Sequence, residues 1–427
     1  MSRALRCSRI LSQRSCTKTL KRHNHHKPTL QQSQTSLTLT WPEPTKTPSK
    51  FHYTWLRDNC QCPQCIHPSN RQKLHSSGDI SSSAHPDSIE LLDNPSGKQL
   101  KIVWPESSMR PPRPGVIGAG RQIGKHTSTY DLAWLDYRSY SKSHMQARYA
   151  ALEPTMWNQS SYGKARKDVT YDDVMNQSDP TGFRSALEQL SHYGLCFIKG
   201  VPTNDRQVEE LAKRFGCIRE TFYGTSWDVK SVPEAKNIAY TSLPLGLHMD
   251  LLYFEAPPGL QFLHCLRNTV KGGHSIFVDS YRAIQHLKTH HPKDFETLTR
   301  VPVTFHYQND NHHFHFRRPT IIPNDLNEYW QVYYAPPFQG PMECEEGDVE
   351  AFYEAFRRFS DLMNDPELVY TTLLGEGDCV VFANRRVLHG RTEFDAGSGE
   401  RHLKGTYVDW DDFKDRARVY GVGKVRV

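Results

Sequence analysis

Residues 245–254 read LGLHMDLLYF, and residues 380–394 read VVFANRRVLHGRTEF. The first stretch sets His248 and Asp250 two positions apart. On an extended strand, residues i and i+2 share a face, so both side chains reach one ion. The second stretch sets His389 just beyond an apolar run that reads as a buried strand. Two histidines and a carboxylate form a facial triad, which leaves open positions on Fe(II) for a bidentate cosubstrate and oxygen. A His-x-Asp pair alone says little in a chain with 22 histidines: His85-Pro86-Asp87 also fits, and an isolated match is more often a satisfied core histidine. The surroundings raise its weight. Gly390 and Arg391 follow His389, and Arg401 comes twelve residues after it, in GERHLKGTYVDWD (399–411). An oxygenase that consumes 2-oxoglutarate needs a cation for the cosubstrate's far carboxylate, and a guanidinium offers a bidentate fork. A surface salt bridge is the commoner fate of a single arginine. Three features falling together favour the clamp.

Outward from these stretches, GLQFLHCL (259–266) and DCVVFAN (378–384) read as buried strands. A helix is expected over 181–193, capped by Gly194, then a strand LCFIKGV (195–201) and a helix over 205–215 that stops at Gly216. VEAFYEAFRRFSDLMN (349–364) is an amphipathic helix. The expected fold is mixed but mainly β, a sandwich core with flanking helices over residues 171–420. Before it lie a linker helix and loop over 138–170 and a turn-rich, strand-like section over 45–137. Within that section, residues 106–124 (ESSMRPPRPGVIGAGRQIG) read either as an insertion or as an ordinary surface loop.

The net charge of +6 comes from one end. Residues 1–42 hold eight Lys or Arg and no acid; the remaining 45 basic and 47 acidic residues nearly balance. No nucleic-acid footprint is expected on the folded part. Arg3, Arg6, Arg9 and Arg14, spaced along a Ser-rich stretch opposite Leu5, Ile10 and Leu11, have the composition of a mitochondrial transit peptide. The expected location is the mitochondrial matrix. A basic tail without structure is the alternative, and 1–42 is set aside from fold reasoning on either reading. No run of 18 apolar residues is present, so a membrane-spanning helix is not expected.

Ten cysteines are too few for a disulfide scaffold, and three crowd into WLRDNCQCPQC (55–65). Cys60, Cys62 and Cys65 at this spacing can converge on a structural tetrahedral Zn(II). The fourth ligand has to come from elsewhere, with His67, His75, His85 and His126 as candidates. Three unpaired thiols in a reducing compartment are the plainer alternative.

Together these residues make the chain resemble the γ-butyrobetaine and trimethyllysine dioxygenases, Fe(II)/2-oxoglutarate hydroxylases of carnitine biosynthesis. The likeness spans roughly residues 50–420. It is carried by WLRDNCQCPQC, ETFYGTSWDVKSVPEAKNIAYTSLPLGLHMD (220–250), PPGLQFLHCL (257–266), GGHSIFVDS (272–280) and FANRRVLHGR (382–391). The resemblance implies a small N-terminal zinc domain, a double-stranded β-helix (jelly-roll) catalytic domain and a homodimer. It implies O2 as second cosubstrate and ascorbate as reductant. By position it implies His248, Asp250 and His389 as iron ligands, Arg401 as the 2-oxoglutarate clamp and Ser275 as a hydroxyl near the cosubstrate. Cys60, Cys62 and Cys65 match its zinc cysteines. His126, in GKHTSTYDLAWL (124–135), matches the zinc histidine if 106–124 is an insertion splitting the motif after Trp104-Pro105.

A trimethylammonium group has no N–H to donate and is held by aromatic faces. Tyr223, Trp227, Tyr240 and Tyr407 match the aromatic cage of the family, and Asn237 matches a pocket residue. Two departures bear on the substrate. Leu251 stands where γ-butyrobetaine dioxygenases have another cage tyrosine, and QVYYAPPFQGP (331–341) replaces an Asn-rich strand that helps hold the substrate carboxylate. γ-Butyrobetaine is the first expectation, trimethyllysine the second, and another quaternary amine the third. Two other classes compete: a non-catalytic zinc-dependent interaction protein, and a metal hydrolase on a cupin-like fold. Neither has a use for the triad, Arg401 and the aromatic set together.

Overall fold

A computed structural model describes residues 28–43, 45–94, 97–110, 124–149, 154–230, 241–323 and 330–422 of the 427. The chain divides into two compact units, Met1–Met145 and Gln146–Val427.

The first unit holds two three-stranded antiparallel sheets. One is built from Thr29–Gln32, Ser36–Thr40 and Ser49–His52, the other from Ser88–Asn94, Gly97–Trp104 and His126–Asp131. The expectation that all of 1–42 lies outside the fold is therefore corrected at its end. SLTLT at Ser36–Thr40 alternates, and it sends Leu37 and Leu39 inward against Phe51, Leu56 and Trp104. The same alternation on His126–Asp131 buries His126, Ser128 and Tyr130 and exposes the residues between. Residues 1–27 and 111–123 lie outside the described residues, so the transit-peptide reading and most of the suspected insertion do too. Glu106–Ser108 is a short 3-10 turn, and Met109 bridges to Ile80.

In the second unit two antiparallel sheets form a jelly-roll. The larger runs in the order Val169–Thr170, Leu195–Lys199, Cys379–Ala383, Leu260–Asn268, Arg401–Val408, Trp227–Lys230; only its first pair is parallel. The smaller runs Leu245–His248, Val387–Arg391, Ser275–Asp279, Tyr370–Thr372. Period-2 alternation sorts each strand between two cores. Cys379, Val381 and Ala383 join Leu260 and Phe262 against an outer helical layer, Thr181–Tyr193, Gln207–Phe215 and Trp410–Val419. Val380 and Phe382 face inward to Phe197, Phe277, Val387 and Leu403. Burying each such Leu, Val or Phe contributes roughly 1.5–3 kcal/mol.

Thr181–Tyr193 ends at Gly194 with φ of 69°, a left-handed cap that most side chains resist. Between Ser275–Asp279 and Tyr370–Thr372 the chain inserts helices Ser280–His290, Pro292–Arg300 and Val349–Met363 and the hairpin Pro302–Asn309/His312–Pro319. The 138–170 stretch is helical in part, as expected. It carries helices Lys142–Tyr149 and Gln159–Ala165 and the strand Val169–Thr170. Among the described residues, no helix is long and apolar enough to cross a membrane.

Candidate active site

His389 lies in the middle of Val387–Arg391, which pairs with strands on both sides. Its register partners are His248 on one and Phe277 on the other. The sequence reading put His248 and Asp250 on one strand, and here the structure differs. The strand ends at His248, and Asp250 stands in the turn beyond it, followed by Leu251 at φ 59°. Asn384 makes this possible. Its side-chain amide accepts from the Asp250 N–H at 2.8 Å and donates to the Asp250 carbonyl at 2.9 Å, replacing the absent strand neighbour.

His248, Asp250 and His389 still converge, with their donor atoms within 4.8 Å of one another. His248 Nδ1 donates to the Gly246 carbonyl at 2.9 Å, which turns Nε2 toward the cluster, 3.3 Å from Asp250 Oδ1. Burial pushes the His389 imidazole down to about 3, and neighbouring His248 adds to this, so the ring is neutral at physiological pH. Burial alone would raise the Asp250 carboxyl. The hydrogen bond to His248, the two imidazoles and the Tyr407 hydroxyl outweigh it and hold the group well below the usual range. A neutral imidazole at His389 and a carboxylate at Asp250 suit ligation of a divalent ion.

These three side chains line one cavity. Arg401, Ser275, Tyr223, Trp227 and Tyr407 line the same cavity, so eight of the residues singled out above are brought together. Asn237 and Tyr240 lie outside the described residues. Arg401 opens its strand opposite Asn268 and is 8% exposed, with no acid in ion-pair distance among the described residues. Burial and neighbouring Arg391 push its guanidinium down to about 10, still cationic at neutral pH. A buried, unpaired cation at the cavity wall is a receptor for an anion.

Trp227 lies flat against Tyr407, with ring centroids 4.1 Å apart and planes at 27°. A cation has no room between them. Tyr223 stands 6.3 Å from Trp227 at 41°, an opening that a methylammonium edge can meet. Gly405 permits the stack: a Cβ there would fall 2.4 Å from Trp227 Cζ2. Sequence reading missed Arg391, Gln261, Tyr253 and Phe338, which also line the cavity. Only Arg391 left a signal, in the HGR run.

The first unit holds its own cluster. His126 Nε2 lies 3.2, 3.7 and 3.5 Å from the sulfurs of Cys60, Cys62 and Cys65. A tetrahedral ion with Zn–S of about 2.3 Å and Zn–N of about 2.0–2.1 Å sets S···N edges at roughly 3.5 Å. The donor set fits zinc. Hydrogen bonding from Cys60 lowers the Cys65 thiol; burial opposes this, and His126 and His75 reinforce it. Arg57 points Nη1 at Cys65 Sγ from 3.5 Å. Of the other candidate ligands, His67 bonds its own turn, His85 bonds the Pro86 carbonyl, and His75 pairs with Asp58.

A jelly-roll that gathers two histidines, a carboxylate and a buried arginine in one cavity has the equipment of a dioxygenase that uses iron and 2-oxoglutarate. Comparison with known proteins agrees. Residues 150–407 match the family described as taurine catabolism dioxygenase TauD, TfdA family, and residues 29–109 match the gamma-butyrobetaine hydroxylase-like N-terminal family. The chain belongs to the TauD, TfdA dioxygenase family. It is 39% identical to dioxygenase str8 of Strobilurus tenacellus, covering 87% of this chain and 85% of that protein. It is 30% identical to the gamma-butyrobetaine dioxygenase of Pseudomonas sp. (strain AK-1), over 90% and 93%. It is 29% identical to the trimethyllysine dioxygenase of Meyerozyma guilliermondii, over 88% and 92%.

Proposed function

We propose that this enzyme hydroxylates a trimethylammonium substrate, with γ-butyrobetaine first and trimethyllysine second. The single observation that supports it most is the shared cavity. The triad, the buried Arg401 and the Tyr223–Trp227 opening all face one space. In this reading His248, Asp250 and His389 hold Fe(II). Bound iron supplies the oxygen activation by which a substrate C–H becomes C–OH while 2-oxoglutarate and O2 yield succinate and CO2. Ascorbate keeps the iron reduced.

The chain's own residues do the positioning. Arg401 takes the far carboxylate of 2-oxoglutarate as a two-pronged donor, and the Ser275 hydroxyl, buried on the strand facing Arg391, adds to that pocket. The opposite wall takes the substrate. Tyr223 and the free side of Trp227 offer π faces to the methylammonium groups, with Asn237 and Tyr240 as further contacts. Leu251 and Phe338 shape the wall where no polar side chain is needed. Holding one substrate carbon at the iron is what converts binding into rate.

Trimethyllysine is kept as a second substrate because Leu251 departs from the γ-butyrobetaine pattern and because relatives of that name match across most of the chain. The bovine relative is named as mitochondrial, and the basic residues 1–27 suit that location here. A homodimer is part of the proposal. The deciding experiment supplies Fe(II), ascorbate, 2-oxoglutarate and oxygen with each amine separately, and reads succinate and a +16 product by mass spectrometry. A +16 product from either amine assigns the substrate. Bound iron with neither succinate nor product rejects the enzyme reading.

Trp227→Ala is expected to raise substrate KM by about 2- to 30-fold, the equivalent of a cation–π contact of roughly 0.5–2 kcal/mol. The KM for 2-oxoglutarate should move less than about twofold. Equal changes in both constants contradict the assignment of Trp227 to the amine. In the first unit we propose a structural zinc ion on Cys60, Cys62, Cys65 and His126. Purified protein is expected to carry about one zinc per chain, and Cys60→Ser to lose it along with thermal stability of that unit. Full zinc content in that variant would contradict the ligand set.

A further inference from the structure

We infer that Gln261 is a binding residue for the metal end of the cosubstrate: its side-chain amide hydrogen-bonds the keto-acid carboxylate that the triad's ion carries. This rests on the reading of the triad as a metal site given above. Three observations carry it.

Gln261 is 2% exposed, and its Oε1 has no hydrogen-bond partner among the described residues. A buried amide oxygen left unpaired costs stability, and few such groups persist in folded proteins without a use. Second, the side chain opens onto the cavity and not into the layer behind the sheet. Leu260 and Phe262, on either side of it in the strand, belong to the core beneath the outer helices, while Gln261 and Leu263 line the cavity. Third, its register places it at the triad. Gln261 lies opposite Phe382 on one neighbouring strand and Tyr407 on the other. Directly opposed residues share a face, with Cβ atoms about 4.5–5.5 Å apart. The Phe382 ring stands 4.7 Å from the His389 ring, and the Tyr407 hydroxyl donates to Asp250 Oδ2 at 2.7 Å. Gln261 is flanked by two side chains that each touch a ligand of the ion, so what its amide meets is what the ion holds.

Arg401 serves the other end. It stands opposite Asn268, at the far end of Leu260–Asn268, and takes the far carboxylate there. At the metal end a second guanidinium would repel the ion, and an acid would compete as a further protein ligand. An amide does neither. With no partner to fix it, it is free to make a half-turn and present its N–H to a carboxylate.

The experiment separates the two ends of the cosubstrate. Oxalate has the carboxylate chemistry of the metal end and lacks the far carboxylate. Oxalate and 2-oxoglutarate are titrated by calorimetry into Mn(II)-loaded full-length protein. Gln261→Met replaces the amide by an apolar chain of similar size. Losing a hydrogen bond to a charged group weakens binding about tenfold or more, and both ligands are expected to weaken by that factor. Arg401→Met should weaken 2-oxoglutarate and leave oxalate within about twofold. Because the amide oxygen is unpaired before the ligand arrives, ligand-free Gln261→Met should melt no lower than wild type. Oxalate affinity within about twofold of wild type in Gln261→Met overturns the inference. So does a loss confined to 2-oxoglutarate, which would place Gln261 at the far carboxylate. A melting temperature lowered in both Gln261→Met and a second variant, Gln261→Leu, makes the amide a packing element and overturns it as well. Wild-type oxalate binding that is the same without Mn(II) defeats the metal reading itself, and the role of Gln261 with it. Metal-dependent oxalate binding that ignores Gln261→Met defeats only the latter.

Discussion

Replacing His248 by alanine is expected to abolish substrate-dependent succinate formation, with a fall in turnover of more than about 100-fold. The ring is 4% exposed, its Nδ1 is committed to the Gly246 carbonyl, and its Nε2 faces Asp250. Losing an outer partner of a metal ligand costs about 10- to 100-fold in affinity, and losing a ligand costs more. The remaining pair, Asp250 and His389, no longer defines one face of an octahedron. Folding should survive, because His248 ends an edge strand of the smaller sheet and the Asn384 clamp on Asp250 does not involve it. Iron content, an unchanged far-ultraviolet spectrum and product formation are the three readouts. Substrate hydroxylation retained at near wild-type rate contradicts the assignment of His248 to iron.

The second large effect is one of stability. Asp279→Ala should destabilise the second unit by about 3–5 kcal/mol, the usual cost of removing one partner from a buried ion pair. Asp279 and Arg386 are 1% and 4% exposed and meet through two parallel contacts of 2.9 and 2.8 Å. Arg386 also donates to the carbonyls of His192 and Thr155, and the Trp157 N–H donates to Asp279. Without the carboxylate, a guanidinium stays buried and only half satisfied. The urea midpoint of the second unit reports the loss. The exposed pair Arg300–Asp348 is the control, and Asp348→Ala should move that midpoint little. Similar behaviour of the two variants would show that burial does not decide the strength of the Asp279 pair.

Much of this was legible because strand periodicity is local. DCVVFAN needs no partner to declare itself buried, and the helix over 349–364 declares its apolar stripe. His-x-Asp followed far downstream by His-Gly-Arg is likewise a pattern in the chain itself. What stayed hidden depends on side chains finding one another across the fold. Asn384 looks like a loop residue, yet it supplies the hydrogen bonds that let the chain leave its strand at Asp250. The residues alone left four candidates for a fourth donor beside the thiols, and the resemblance pointed to His126; register, Trp104 opposite His126, brings that histidine to the three thiols. The aromatic set pointed to a four-sided cage. The stacking of Trp227 on Tyr407 follows from the empty space over Gly405, which no count of aromatics reveals.

Gly405 does not itself line the cavity. Yet a single methyl group at that position has to evict the indole from its seat, break its stack on Tyr407 and redraw the cavity. The shape of this cavity is thus set partly from behind its own wall. A laboratory search for new substrates restricted to cavity-lining positions would pass over a residue where the smallest possible change displaces Trp227.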